Sequence, residues 1–168
     1  VDACALPVAA DLSDGFGPDP ETCAETIELA VGVGLVGGSI EDATGDPSAP
    51  IYRLDQAVER VAAAAEAAYK LGFVLTARAE EWLYRESDLD ATIERLNAFA
   101  AVGADVLYAP GLPSLEAIQT VCASVPKPVN VLMGLSGPTW SVAELRDAGV
   151  KRISVGGSLA RAALGAMV

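Results

Sequence analysis

The chain has 168 residues, 52% of them hydrophobic, and its 11 Lys and Arg against 23 Asp and Glu give a net charge of −12. That length fits one domain able to bury a core. The acidic balance argues against nucleic-acid binding, which needs a basic face, the apolar runs are too short to span a bilayer, and no basic segment followed by an apolar run marks a signal peptide.

Strand-like and helix-like segments alternate. Leu6–Ala10 reads as a strand, and Pro20–Val33 as a helix with Asp19 at its N-cap and Gly34 as its stop. Val36–Ile40 is a second strand, weakened by Gly37 and Gly38, which can also allow close backbone approach. Ala43–Pro50 is a Gly, Pro, Ser and Asp loop, expected to be a mobile cover. Leu54–Leu71 is a long helix closed by Gly72, and Phe73–Ala77 a strand. Asp88–Val102 is a helix, Asp105–Ala109 a strand, Ser114–Ala123 a helix and Pro128–Leu132 a strand. Ser136–Thr139 is a loop, Ser141–Ala148 a helix, Arg152–Val155 a strand and Ser158–Ala166 the last helix. This is βα repeated six times, with strands read as apolar on both faces, as in helix-covered parallel sheets. A doubly wound sheet and a (β/α)8 barrel both fit. A barrel usually takes roughly 250 residues, so six units resemble a barrel lacking two.

Histidine is absent, which excludes His-based catalysis and His-ligated metals. Cys4, Cys23 and Cys122 are odd in number and far apart, and read as reduced, buried thiols of a cytoplasmic protein.

The candidate chemistry lies at strand ends. Asp11 closes the first strand, in Ala10-Asp11-Leu12-Ser13-Asp14-Gly15-Phe16-Gly17. Asp11 and Ser13 share a face if the strand continues, with Asp14 pointing elsewhere or bending back. Glu41 ends the second strand, and an acid there is costly to bury unless paired or metal-bound. Its neighbour Asp42 faces out or holds the loop. Oxygen ligands alone select a hard ion, Mg²⁺ or Mn²⁺. Arg78 ends the third strand and can grip a carboxylate in a bidentate fork, or pair with Glu80 at the surface. Asn130 is either a satisfied core amide or a substrate contact. Gly156-Gly157-Ser158 can offer backbone N–H groups to an anion. Trp82, Trp140 and Tyr108 read as packing.

The ordered set of Asp11 to Gly17, Ile40-Glu41-Asp42, Ala77-Arg78-Ala79-Glu80, Gly103-Ala104-Asp105, Pro110-Gly111, Pro128-Val129-Asn130 and Gly149 to Gly156 resembles the isocitrate lyase/phosphoenolpyruvate mutase superfamily over nearly the whole chain. The resemblance implies a (β/α)8 TIM barrel, present here as one partial domain over residues 1–168, with no counterpart of the family's first two βα units. It implies a homo-oligomer, often a tetramer, that cleaves or forms C–C or P–C bonds in a small 2-oxo or 2-hydroxy carboxylate through a metal-stabilised enolate. Carried over, Asp11 and Glu41 hold Mg²⁺ or Mn²⁺, and Arg78 is the catalytic and carboxylate-binding arginine. Asn130 and Ser13 contact substrate, while Asp14, Asp42 and Glu80 stand behind them.

Two departures bear on activity. Ser13 stands where relatives often have a second acid. The loop Ala43–Pro50 also lacks the Lys-Lys-Cys-Gly-His run of the lyases and the Lys and Asn of the mutases. Two main readings therefore compete: a Mg²⁺-dependent lyase or mutase, favoured by the retained Asp11, Glu41 and Arg78, and a non-catalytic relative that binds a carboxylate. A phosphate-binding barrel enzyme using Gly156-Gly157 is a third reading.

Overall fold

The computed structural model describes residues 1–85, 87–134 and 138–167, among which six strands alternate with helical segments, two helices falling between the third and fourth strands. They are β1 (Ala9–Asp11), α1 (Pro20–Gly32), β2 (Gly37–Glu41), α2 (Leu54–Leu71), β3 (Val74–Arg78), α3 (Glu81–Tyr84) and α4 (Leu89–Ala101). There follow β4 (Val106–Tyr108), α5 (Leu115–Ser124), β5 (Val129–Leu132), α6 (Val142–Asp147), β6 (Arg152–Ser154) and α7 (Ser158–Gly165). The single turn α3 was not expected from the sequence. Part of the expected loop Ser136–Thr139 lies outside the described residues.

The sheet order is β1-β2-β3-β4-β5-β6, and every neighbouring pair is parallel. A doubly wound sheet reverses its order at a switch point. An order that follows the chain without reversal winds in one direction, as in a barrel. The six strands form a curled half-barrel whose edges, β1 and β6, do not pair with each other. Six βα units are therefore present among the described residues, as the sequence pattern indicates.

Helix ends follow local chemistry. Ser114 Oγ accepts from Ala117 N, and Ser141 and Glu144 form a reciprocal capping box at α6. Asp19 is at the N-cap of α1 but makes no side-chain cap bond. Gly72 ends α2 in the left-handed region at φ 68°. On α2, Ala57, Val61, Ala64, Ala65 and Ala68 form a buried stripe of small side chains facing the core, and α1 packs alongside. None of the described helices is long and apolar enough to cross a membrane.

The two sheet faces differ chemically, which corrects the expectation of strands apolar on both sides. Ile40, Leu75, Ala77, Leu107, Val129 and Val131 face the helices and build the core with Ile27, Leu96, Phe99, Ile118 and Leu145. The alternate positions carry Ser39, Glu41, Thr76, Arg78, Tyr108, Asn130, Arg152 and Ser154. Several of these bond to one another across strands. Arg152 Nη2 donates to Thr76 Oγ1 at 2.8 Å and Arg152 Nε to Asn130 Oδ1 at 3.0 Å, while Asn130 Nδ2 donates to Ser154 Oγ at 3.0 Å. Thr76 and Asn130 are buried on this face, and these cross-strand bonds offset the cost of burying them. Of the three cysteines, Cys23 is buried and Cys122 half-buried, but Cys4 is exposed, contrary to the expected buried set.

Candidate active site

Asp11, Glu41 and Arg78 end three adjacent parallel strands. In register Asp11 lies beside Ser39 and Glu41 beside Arg78. The Arg78 guanidinium is the meeting point. Its Nη1 is 2.6 Å from Asp11 Oδ2, its Nη2 3.2 Å from Glu41 Oε2, and its Nε 2.7 Å from Glu80 Oε1. The Arg78–Glu80 pair is thus present, but Glu80 is only 2% exposed rather than at the surface. The Tyr108 ring flanks the guanidinium, with its centroid 5.2 Å from Cζ.

Three carboxylates and one guanidinium sum to −2 when all are ionised. Burial pushes the Glu41 and Glu80 carboxyls upward, and the Arg78 charge works against this in both. Burial acts to lower the Arg78 pKa, but Glu80, Asp11 and Glu41 together outweigh it and raise it. Burial likewise pushes the Tyr108 phenol to about 12, so it keeps its proton near neutrality.

The donor chemistry fits a hard divalent cation. Asp11 and Glu41 offer only oxygens, and the Asp11 side chain is 63% exposed beside open space. Among the described residues no cluster of three or more acid or thiol groups could cage an ion. Two carboxylates with water completing the shell are enough for Mg²⁺, which dehydrates reluctantly.

The remaining expected residues are placed as follows. β1 stops at Asp11, so strand alternation does not extend to Ser13, which turns at φ 50°. Its N–H donates to Asp11 Oδ1 at 3.1 Å, and its carbonyl accepts from Glu41 N at 2.8 Å. Asp14 Oδ1 accepts from Phe16 N at 2.9 Å. Asp42 does not face out; it is 2% exposed, accepting from Glu80 N at 2.8 Å and Arg95 Nη1 at 3.1 Å. Asn130 is equally buried and has partners on both amide atoms, which is the satisfied-amide alternative. The loop Ala43–Pro50 is pinned at its base by a bridge from Ala43 to Ile51 and by Thr44 N donating to Pro50 O at 2.9 Å.

Four residues near the site carry no clear signal in the sequence: Arg60, Arg95 and Arg152, and Tyr108, which reads as packing. The polar-apolar-polar run Arg152-Ile153-Ser154 repeats that of Thr76-Ala77-Arg78, a faint signal for Arg152. For Arg60 the faint signal is an arginine within the apolar stripe of a helix.

A cavity of about 380 Å³ opens on the β3–β6 side of Arg78. Its lining includes Tyr108, Pro110, Trp140, Gly156, Ser158 and Arg161. Its charged lining side chains among the described residues are Arg78 and Arg161, with no acid between them. Among the described residues Arg161 makes no ion pair. Asp11 and Glu41 reach Arg78 from the other side.

Fold and site together define a barrel-type α/β protein whose strand ends carry an acid-arginine cluster beside a cationic cavity. The chain belongs to the phosphoenolpyruvate phosphomutase family, whose model matches residues 1–168. It is 30% identical over 157 residues to a 2-methylisocitrate lyase of Escherichia coli (strain K12), covering 89% of this chain and 52% of the relative. An oxaloacetate decarboxylase of Rhodopseudomonas palustris (strain HaA2) is 25% identical, with 91% and 52% covered. The chain thus spans about half the length of these curated relatives. Among solved structures, a Burkholderia cenocepacia J2315 protein named "putative lyase/mutase" superposes with a TM-score of 0.93 at 58% identity. That match covers 96% of this chain and 59% of the other. The phosphoenolpyruvate phosphomutase of Streptomyces platensis subsp. rosaceus gives 0.85 at 27% identity, with 99% and 60% covered. These matches bear out the superfamily read from the strand-end motifs.

Proposed function

We propose that this chain carries the catalytic strand ends of a Mg²⁺- or Mn²⁺-dependent lyase or mutase acting on a small 2-oxo or 2-hydroxy carboxylate, with cleavage or formation of a C–C or P–C bond. The observation that supports this best is the convergence of Asp11, Glu41 and Arg78 from three adjacent strand tips. Asp11 and Glu41 are the proposed metal ligands, and the bound ion supplies Lewis-acid stabilisation of negative charge developing beside the substrate carboxylate. If Asp11 and Glu41 held a metal, Nη1 and Nη2 of Arg78, which they now engage, would be the donors open to that carboxylate. Glu80, on Nε, keeps the guanidinium in place, and Asp42 orients the Glu80 backbone. Tyr108 stays neutral and can donate its proton in a hydrogen bond within the cavity. Ser13 is a proposed substrate contact and Asp14 a support of the loop, while Asn130, bonded to Arg152 and Ser154, would act on substrate only through those neighbours.

The finer architecture is also proposed. Two further βα units would close the half-barrel into a (β/α)8 ring, with residues 1–168 as part of one domain in a homo-oligomer. Free cysteines are consistent with a cytoplasmic setting.

The test is a screen of 2-oxo and 2-hydroxy diacids with Mg²⁺, following pyruvate or glyoxylate release, in the intact protein and in Asp11→Asn and Arg78→Met. Turnover is expected in the parent protein and a loss of about 100-fold or more in each variant, as for electrostatic stabilisers of a transition state. Parent-like turnover in both variants would dismiss the site. A non-catalytic carboxylate binder is the alternative, favoured by the loop Ala43–Pro50, which has no Lys, Cys or His. It predicts Mn²⁺ and diacid binding by calorimetry with no product from any substrate.

A further inference from the structure

The loop that follows Asp11 is held in an unusual shape from behind. Ser13, Gly15 and Phe16 all have positive φ, at 50°, 83° and 63°, and two of the three are not glycine. Such residues persist only where their surroundings over-determine them. Here the loop carbonyls are anchored nearly one by one. Leu12 O accepts from Gly15 N at 2.9 Å, Ser13 O from Glu41 N at 2.8 Å, and Gly15 O from Thr26 Oγ1 at 2.8 Å. The Asp14 and Gly17 carbonyls both accept from Arg60, through Nη2 and Nη1 respectively, the latter at 2.6 Å.

Arg60 is an odd residue in its position. It lies in the small-residue stripe of α2 and is 2% exposed. Among the described residues no carboxylate pairs with it. A buried charge is costly unless its donors are satisfied. Both terminal nitrogens donate to backbone carbonyls, and the guanidinium carbon lies 4.4 Å from the Tyr52 ring centroid. Tyr52 in turn is fixed by the neighbouring strand end: its N–H donates to Asp42 O at 2.9 Å, and its carbonyl accepts from Arg95 Nη1 at 3.2 Å. Arg60 and Tyr52 therefore join the loop after Asp11 to the loop after Glu41.

We propose that Arg60 is a positioning residue for the Asp11 carboxylate. Its two-pronged fork fixes the Asp14 and Gly17 carbonyls, and this holds the left-handed turns between and before them. Those turns aim the Ser13 N–H at Asp11 Oδ1, which leaves Oδ2 directed at Arg78. A lysine keeps the charge but is a point donor that cannot span both carbonyls in the same planar geometry.

The binding arm of the test rests on the metal reading above; the exchange arm does not. In the intact protein, Arg60→Lys and Arg60→Met are compared with the parent by amide hydrogen exchange and by calorimetric Mn²⁺ titration. Exchange over residues 13–17 is expected to accelerate in both variants while that of β4, Val106–Tyr108, stays at its parent rate. Mn²⁺ affinity is expected to fall by about 10-fold or more, the usual effect of losing a partner that orients a ligand. A purely structural role would instead speed exchange in β4 and the loop alike and leave the affinity of the folded protein unchanged. Unchanged loop exchange and affinity in a folded Arg60→Lys overturns the proposal. So does failure of both variants to fold, since Arg60 would then serve the fold and not the site. If the parent binds no Mn²⁺, the metal reading falls and loop exchange alone decides the role of Arg60.

Discussion

Asp42 has given up water for two protein donors, the Glu80 N–H and the Arg95 guanidinium. Burial pushes its carboxyl up from 3.8 to about 6, against the lowering effect of those two donors. A raised acid means that the folded protein binds a proton in a range where the unfolded chain has lost it. Asp42 therefore contributes most stability below its unfolded value, and that contribution fades as pH rises through about 6. Glu41 and Glu80, also raised, act in the same direction. A carbon NMR titration of the Asp42 carboxyl should give a midpoint near 6, whereas one at the ordinary value of 3.8 would show that the Glu80 N–H and Arg95 together cancel desolvation. The sequence put Asp42 beside Glu41 and hence on the opposite face of its strand. In a one-sided sheet that opposite face is the helix-covered side, so an acid there must be buried and paired. Its partner lies 53 residues away on α4, a distance that no local pattern spans.

At the level of elements, the sequence reading was sound where local chemistry sets the boundary. Helix α2 ends at Gly72 because the chain there turns left-handed, and that glycine is visible in the sequence. Asp11, Glu41 and Arg78 were legible for a similar reason, since each is a charge at the end of an apolar run. The polar concave face was not, because only the sheet's curvature tells which alternate residues escape a helix cover. The short α3 has no cap or period to announce it. Close approach at Gly38 was foreseen, and its form can be tested. A Cβ there would lie 2.8 Å from Leu12 Cδ1, 3.0 Å from Phe73 Cζ and 3.1 Å from the Ala10 carbonyl. Gly32, at the end of α1, has nothing within 4 Å. The same change should therefore have opposite signs: Gly38→Ala should destabilise by about 1–3 kcal/mol through overpacking, and Gly32→Ala should stabilise by about 0.4–1 kcal/mol by restricting the unfolded chain. Urea denaturation measures both, and a stabilising Gly38→Ala would mean that β1 and β2 are less tightly apposed than described.

The whole molecule presents an unfinished surface. β1 and β6 are both edges, with backbone groups that no strand among the described residues pairs. α7 buries none of its residues; Leu159 and Leu164 are exposed along it and Met167 just after it. Ile153 and Val155 are exposed near the β6 edge, and Leu6 before β1. Scattered exposed apolar residues are ordinary on a protein surface, but exposed apolar residues beside open sheet edges are what the proposed closure would cover. Two βα units lying between β6 and β1 would pair both edges and bring Asp11, now on an edge strand, inside the ring. This gives the closure proposal a direct test. Residues 1–168 expressed alone should bind a hydrophobic dye such as ANS and self-associate at micromolar concentrations, because open edges and apolar faces promote both. A longer version carrying two additional βα units should bind little dye and sediment as a discrete species. If residues 1–168 alone sediment as a monomer and bind no dye, the exposed face needs no cover and the eight-unit ring is the wrong completion of this sheet.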